Sequence, residues 1–165
     1  MATTNNRSST TEATSGEVSY RAPDAFTRRI VNPLVAWLTR RGVSVWGSRV
    51  LEVRGRSSGQ WRATPVNLLE VDGELFLVSP RGETQWARNL RVAGGGRLRL
   101  GRRTTAFTAV EVPRRERVRV LRPYLRRWGW EVGRFFEEVG TDASDDELLA
   151  VADRHPVFAV TLADA

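Results

Sequence analysis

Residues 50–90 read VLEVRGRSSGQWRATPVNLLEVDGELFLVSPRGETQWARNL, and this stretch decides the fold that the sequence predicts. Two strand-like runs, 50–54 and 61–71, flank a loop of the form G-R-S-S-G-x-x-R. The glycines allow a tight turn, and taken alone the loop fits a plain hairpin connection. Its backbone donors, hydroxyls and two arginines also suit a phosphorylated ligand.

The rest of this stretch continues the alternation of strands and turns. Asp72-Gly73 predicts a hairpin turn that leads into a return strand over residues 74–79. Pro65 inside the second strand indicates a sheet edge, a bulge or a break that faces a ligand. Thr84 follows a loop over 80–83 and is placed to cap a short helix that ends at Leu90.

Beyond residue 90 the pattern first stays strand-like. The three glycines at 94–96 predict a flexible turn that breaks the chain. Strands follow at 97–100 and 104–112, and the alternation R-L-R-L gives the first of them one buried face and one basic face.

After Pro113 the apolar period becomes helical. We expect a helix over 114–127, a second short helix over 130–139 and a third over 147–153, which Ser144 and Glu147 open as a capping box. A closing strand covers 157–162. This order predicts an α+β fold built on an antiparallel barrel or a strongly curved sheet, and without βαβ units a Rossmann fold is not expected.

The composition excludes several kinds of chemistry. There is no cysteine, which rules out disulfides, thiolate catalysis and cysteine-ligated metals. The one histidine, His155, cannot build a multi-histidine centre, and we interpret it as a loop residue; no metal site is expected. Every one of the 26 basic residues is arginine, so a lysine Schiff base and a P-loop are also excluded.

The net charge of +7 favours anionic partners. The arginines are spread along the chain among 19 acids, however, whereas a nucleic-acid footprint would be clustered, so we expect no nucleic-acid partner. Residues 1–20 read as a disordered polar tail and 21–165 as a single domain. With no secretory pattern and no apolar run of membrane-spanning length, a cytoplasmic protein is expected.

Residues 22–42 form a basic amphipathic segment that reads as an N-terminal helix, interrupted or restarted at Pro33. We expect it to pack on the domain's own core. Peripheral contact with the inner face of a membrane is the alternative.

Three pieces of the sequence together resemble the deazaflavin (F420)-dependent nitroreductase and quinone reductase family of split-barrel oxidoreductases. These are G-R-S-S-G-x-x-R-x-T-P-V at 55–66, L-V-S at 77–79 and W-x-x-N-L at 86–90. The resemblance implies a split β-barrel related to flavin-binding barrels, with peripheral helices. It also implies that the protein binds reduced coenzyme F420, whose phosphodiester and glutamate tail make it polyanionic, and transfers a hydride to a small organic acceptor such as a quinone, a nitro compound or an enone.

The resemblance also implies which residues form the site. Arg56, Ser57 and Arg62 would hold the phosphate, and Ser58 belongs to the same cofactor-binding loop. The residues expected to line or close over the deazaflavin ring are Thr64, Pro65, Val66, Ser79, Pro80, Arg81 and Gly82. Trp86 and Asn89 would anchor the helix against the cofactor loop. Many relatives carry a basic residue at position 57 or 80, and Arg81 or Arg88 would compensate for its absence here.

Ser79 and Tyr124 are the candidates for donating a proton or orienting the acceptor. An apolar lid could be built from Trp37, Tyr124, Trp128 and Trp130, although each of these fits a core position equally well. The alternatives to a reductase are a split-barrel protein that binds FMN, haem or a fatty acid, and a basic module for membrane or nucleic-acid surfaces. The protein is expected to be a monomer or a homodimer.

Overall fold

The structure, a computed structural model, describes residues 48–136 and 139–163. Within them, six antiparallel strands close into a barrel in the spatial order β1-β2-β3-β6-β5-β4. The strands are β1 (Ser48–Arg54), β2 (Trp61–Val71), β3 (Glu74–Val78), β4 (Gly95–Leu100), β5 (Arg103–Glu111) and β6 (Val157–Leu162). The α+β barrel predicted from the sequence is confirmed, whereas the predicted polar tail and N-terminal helix lie outside the described residues.

The barrel interior follows from the period-two pattern of its strands. Leu51 and Val53 of β1 point inward, and the register that sets Leu51 opposite Thr64 brings the inner face of β2 beside them. The residues that share this interior include Val66, Leu77, Leu98, Phe107, Phe158 and Val160. Pro65 lies within the continuous strand β2, opposite Val50.

The glycines at two predicted turns have different roles in the structure. Asp72 and Gly73 both have positive φ, which is the geometry of the predicted hairpin. The prediction of a flexible turn at 94–96 is wrong, because Gly95 and Gly96 belong to β4. A Cβ on either would lie within 2.5 Å of a backbone oxygen of a neighbouring strand, so the close approach of the strands requires glycine there.

Three α-helices in the described ranges accompany the barrel. They are α1 (Gln85–Ala93), capped by Thr84 as predicted, α2 (Val118–Val132) and α3 (Asp145–Ala152), which begins at the predicted Ser144–Glu147 capping box. Short 3₁₀ helices at Arg114–Arg117 and Gly133–Phe135 flank α2. The separate helix predicted over 130–139 is wrong, because α2 runs unbroken through Trp130 to Val132.

A second apolar core joins the helices to the outside of the barrel. Tyr124 and Trp128 of α2 pack with Leu148 of α3 and with Phe76 and Val157 of the sheet. This core fixes α2 across one side of the barrel, and the C-terminal end of α2 thereby meets the loop that follows β3. None of the helices in the described ranges has the length and hydropathy needed to cross a membrane.

Candidate functional site

A cleft of about 880 Å³ opens where four parts of the fold meet, and we call it the main cleft. Its walls come from the loop between β1 and β2, the first half of β2, the segment from the end of β3 into α1, and the C-terminal part of α2 with the 3₁₀ helix that follows. The volume is near the upper end for small-molecule pockets, so the cleft has room for an elongated ligand.

The loop over residues 55–60 is a closed, rigid turn. The Gly55 backbone N–H donates to the Gln60 carbonyl at 2.8 Å, and the Gly59 N–H donates to the Gly55 carbonyl at 2.8 Å. A Cβ on Gly55 would lie 2.7 Å from the Ser58 hydroxyl, which would then have to rotate away. The tight turn directs Ser57 and Ser58 to the main cleft, where both are lining residues.

Helix α1 holds this loop in place through Arg56. The Arg56 backbone N–H and Nη1 donate to the Asn89 side-chain oxygen at 3.2 and 3.1 Å, and Nη1 also donates to Gln85 at 2.9 Å. Asn89 is buried, so its amide is committed to this contact. The W-x-x-N-L motif therefore serves the loop directly: its asparagine fixes the position of the first cleft arginine.

The second arginine of the loop motif has different surroundings. Arg62 lines the main cleft, yet the described part of the chain offers its guanidinium neither a hydrogen bond nor an ion pair. Arg62 is exposed, so water rather than protein meets its five N–H donors, and a ligand can replace that water. Arg62 is therefore available to an anionic group that enters the cleft beside Ser57.

Ser79 organises the opposite wall. Its side chain is fully buried, and its hydroxyl donates to the Gly82 carbonyl at 2.6 Å and lies 3.0 Å from the Thr84 hydroxyl. Thr84 in turn caps α1. The Ser79 hydroxyl thus joins the turn after β3 to the start of α1, and its proton is already engaged with a backbone carbonyl.

Tyr124 lies on the α2 side of the main cleft with only 2% of its surface exposed. Burial raises the pKa of its hydroxyl, and the nearby negative charge of Glu131 raises it further. The phenol therefore stays protonated at neutral pH. It makes no hydrogen bond within the described residues, so its O–H can be donated to a ligand.

The lining residues that the sequence analysis did not predict include Glu131, Arg134 and Phe135, from the end of α2 and the 3₁₀ helix that follows. The Glu131 Oε2 is buried without a hydrogen-bond partner in the described ranges. Arg134 and Arg81 both lie over the Phe135 ring, with their guanidinium carbons 4.8 and 5.0 Å from its centroid. Residues seven, ten and eleven positions after Tyr124 recur on its side of a helix, so helical spacing could have identified them.

Almost all of the predicted site residues line the main cleft. Those that line the main cleft are Arg56, Ser57, Ser58, Arg62, Thr64, Pro65, Val66, Ser79, Pro80, Arg81, Trp86, Asn89 and Tyr124. Gly82 lines an adjoining cleft instead, which shares Pro80, Arg81, Arg134 and Phe135 with the first.

The tryptophan lid is corrected by the structure. Trp128 is buried in the core between helices and barrel, and Trp130 is 74% exposed without lining the main cleft. Trp37 lies outside the described residues, which leaves Tyr124 as the one lid candidate that the structure brings to the cleft. His155 follows α3 as predicted, but it is buried and stacked on Phe136 at 3.9 Å.

Comparison with known proteins gives one family and several related folds. A family model described as F420H(2)-dependent quinone reductase matches residues 20–130. No curated protein matches the sequence. Among solved structures, the Agrobacterium tumefaciens protein Atu2129, described as of unknown function, is 16% identical with a TM-score of 0.50. That similarity covers 71% of this chain and 51% of the other, so this chain spans about half the length of Atu2129.

Two further structures are more distant in shape. A Clostridium acetobutylicum protein related to general stress protein 26, of the pyridoxinephosphate oxidase family, is 13% identical over 85% of this chain and 86% of its own, with a TM-score of 0.44. The conserved hypothetical protein Rv2991 of Mycobacterium tuberculosis is 18% identical over 92% and 87%, with a TM-score of 0.43. At such identities the structural comparison with Atu2129 supports the fold alone.

Proposed function

The chain belongs to the F420H(2)-dependent quinone reductase family, and we propose that its main cleft holds both coenzyme F420 and the acceptor. The protein is an enzyme, an oxidoreductase that uses reduced F420 as its cofactor. The observation that carries the placement is Arg62, a cation that lines the cleft without an acceptor of its own. An arginine left without partners at the edge of a pocket fits a ligand that brings the negative charge.

The loop end of the cleft fits the phosphate of the cofactor. Arg56 is fixed by Asn89 and Gln85, so its position is set before the ligand arrives. Ser57 and Arg62 add a hydroxyl and a second guanidinium on the same side. Two arginines and a hydroxyl satisfy the acceptor oxygens of a phosphodiester, and arginine can bind two of them at once.

The middle of the cleft fits the deazaflavin ring. Pro65 and Val66 give one apolar wall along β2, and Trp86 gives another. Trp86 is held against Phe158 of the barrel interior, with ring centroids 5.9 Å apart, which fixes its orientation. Apolar walls of this kind would exclude water from a planar ring.

When bound, the reduced deazaflavin supplies the hydride that the acceptor takes up. The chain's own residues orient the acceptor and donate hydrogen bonds to it. Tyr124 can donate a hydrogen bond to an oxygen of the acceptor, because burial raises its pKa and keeps the phenol protonated. Ser79 shapes the wall opposite, since its hydroxyl already donates to Gly82. We extend the acceptor range from quinones to nitro compounds and enones, which offer a comparable oxygen.

Fluorescence titration with purified F420 tests the phosphate end. We expect Arg56→Ala and Arg62→Ala each to weaken binding by about 1–3 kcal/mol, the value of a charge-assisted hydrogen bond. Arg102→Ala is the matched control, because Arg102 is exposed on the turn between β4 and β5 and lines neither cleft. Unchanged affinity in both cleft variants would remove the proposed phosphate site.

An acceptor panel tests the reaction. Reduced F420 should be oxidised when menadione is added, and also with a nitroaromatic or an enone if the wider range is right. Turnover with menadione alone would restrict the activity to quinones. Parallel titrations with FMN and haem separate this proposal from a barrel that binds another ligand, since tighter binding of either would contradict it.

A further inference from the structure

A second cationic position lines the main cleft from elements other than the phosphate loop. Arg81, from the turn after β3, and Arg134, from the 3₁₀ helix after α2, both stack on Phe135. Neither guanidinium has an ion pair or a hydrogen bond with the described residues. Two like charges over one ring repel each other, so this arrangement is favourable chiefly when an anion joins it.

The neighbouring carboxylate does not neutralise these arginines. Glu131 lines the same cleft, but it forms no ion pair with Arg81 or Arg134, and its Oε2 is left without a hydrogen bond in the described ranges. Elsewhere in the fold an acid near an arginine is usually paired with it, as Glu111 is with Arg117 at 2.9 Å. The two cleft arginines therefore keep their charge for a ligand.

The adjoining cleft extends this position. It has a volume of about 590 Å³, shares both arginines and Phe135 with the main cleft, and adds Arg154 and His155 on its far side. A ligand that fills the main cleft can thus continue past Phe135 into a second space that is lined by three arginines.

We propose that Arg81 and Arg134 form a second anion subsite, which binds a carboxylate or a similar oxyanion and is distinct from the phosphate loop. A guanidinium stacked on a ring leaves its N–H edge open, and that edge matches a carboxylate in two-point contact. The inference depends on the proposed placement of F420 in the main cleft. Two sources supply such an anion: the glutamate carboxylates of the cofactor, or an acidic substituent on the acceptor.

The first arm of the experiment measures binding without turnover. The full chain is titrated by fluorescence with F420 that carries glutamates and with F420 that lacks them, and the ratio of the two affinities is the readout. If the glutamates bind here, Arg134→Gln should reduce that ratio by about tenfold, the value of one charge-assisted contact, and Arg81→Gln/Arg134→Gln should bring it close to one.

The second arm measures acceptor preference. Menadione is compared with a naphthoquinone sulfonate, which has the same ring system and a permanent negative charge. If the subsite serves the acceptor, the substituted proteins should lose about tenfold in the kcat/KM ratio of sulfonate to menadione. Arg102→Gln/Arg126→Gln is the control for both arms, since it removes the same charge from exposed positions outside the two clefts.

The results of the two arms distinguish the subsite from a merely structural role of the arginines. A fall in either ratio, absent from the control, supports the subsite and identifies the source of the anion. If neither ratio moves, or if all ligands lose affinity by the same factor, the arginines have no anion-specific role and the proposal is overturned. A chain that binds neither form of F420 before any substitution would contradict the proposed function itself and this inference with it.

Discussion

Arginines in two regions of this molecule have opposite surroundings. Arg91 of α1 and Arg117 both donate to Glu111, and Arg117, which is 9% exposed, donates further to backbone carbonyls. At the main cleft, Arg62 and Arg134 lack any ion pair or hydrogen bond with the residues that the structure describes. The same side chain is thus saturated in one place and left unpaired in the other.

The difference shows where charge serves the fold and where it is available for a ligand. An arginine whose donors are all satisfied adds rigidity but offers nothing to a partner, whereas an unpaired one retains its capacity to bind an anion. Since every cation of the chain is arginine, residue type alone cannot separate the two roles. The position of the acids and carbonyls decides it.

Arg117→Met should give the largest loss of stability. The substitution removes a buried cation and leaves the carbonyls of Val112 and Ala152, at 2.8 and 2.9 Å from it, without their donor. We expect the free energy of unfolding to fall by about 3 kcal/mol, as for other broken buried pairs. Urea unfolding measures it, with Arg102→Met as the exposed control. A loss below about 1 kcal/mol would mean that water replaces the lost contacts.

Tyr124→Phe should affect turnover strongly and stability little. The phenol makes no hydrogen bond in the described fold, so we expect unfolding to change by less than about 0.5 kcal/mol. Turnover of menadione should fall about 100-fold, the value of one hydrogen bond to the charge that develops on the acceptor oxygen, while the affinity for F420 is unchanged. Because the pKa of Tyr124 is raised, its ionisation should add no limb to the rate profile between about pH 6 and 9. Unchanged turnover would remove Tyr124 from the reaction.

Asn89→Ala connects the two regions, because this buried side chain serves the fold and positions a cleft arginine. Its oxygen accepts two hydrogen bonds from Arg56, and their loss should weaken F420 binding by about 1 kcal/mol, or roughly fivefold. Gln85→Ala removes a single contact to the same guanidinium and should cost less. If both variants bind F420 as tightly as the unsubstituted protein, Arg56 does not depend on α1 for its position.

The local elements could be predicted because their signals are local. Asp72-Gly73 determines its own turn, Thr84 caps its own helix, and Ser144 with Glu147 opens another. The prediction for the glycines at 94–96 is wrong because the reason for these glycines is not local. Gly95 and Gly96 are needed for the backbones of β5 and β1, which approach them from distant parts of the chain.

The residues of the main cleft also divide into those with a local sequence signal and those without one. The loop motif and W-x-x-N-L are contiguous patterns, and the structure brings both to the main cleft. Arg134 and Phe135 belong to no motif, and they reach the cleft only because α2 continues unbroken past Trp130. Predicting a break there removed the helical spacing that relates them to Tyr124. Whether an arginine is paired depends on tertiary neighbours, which the sequence does not display.

Glu83→Gln tests the exposed ion pair between Glu83 and Arg91 and should have only a small effect on stability. Arg91 donates to the Glu83 carboxylate at 2.8 and 3.0 Å, and this lowers the pKa of Glu83 below its usual 4.5. A lowered pKa stabilises the fold above the usual value, and that contribution is lost as the pH falls through the lowered one. Since Glu83 is 43% exposed, the substitution should cost only about 0.5 kcal/mol at pH 7.

Urea unfolding of both proteins at pH 7, 5 and 3 should show the difference in unfolding free energy shrinking toward zero on acidification. A difference that stays constant with pH would assign the effect to packing, and the charge of Arg91 would then be satisfied by Glu111 alone.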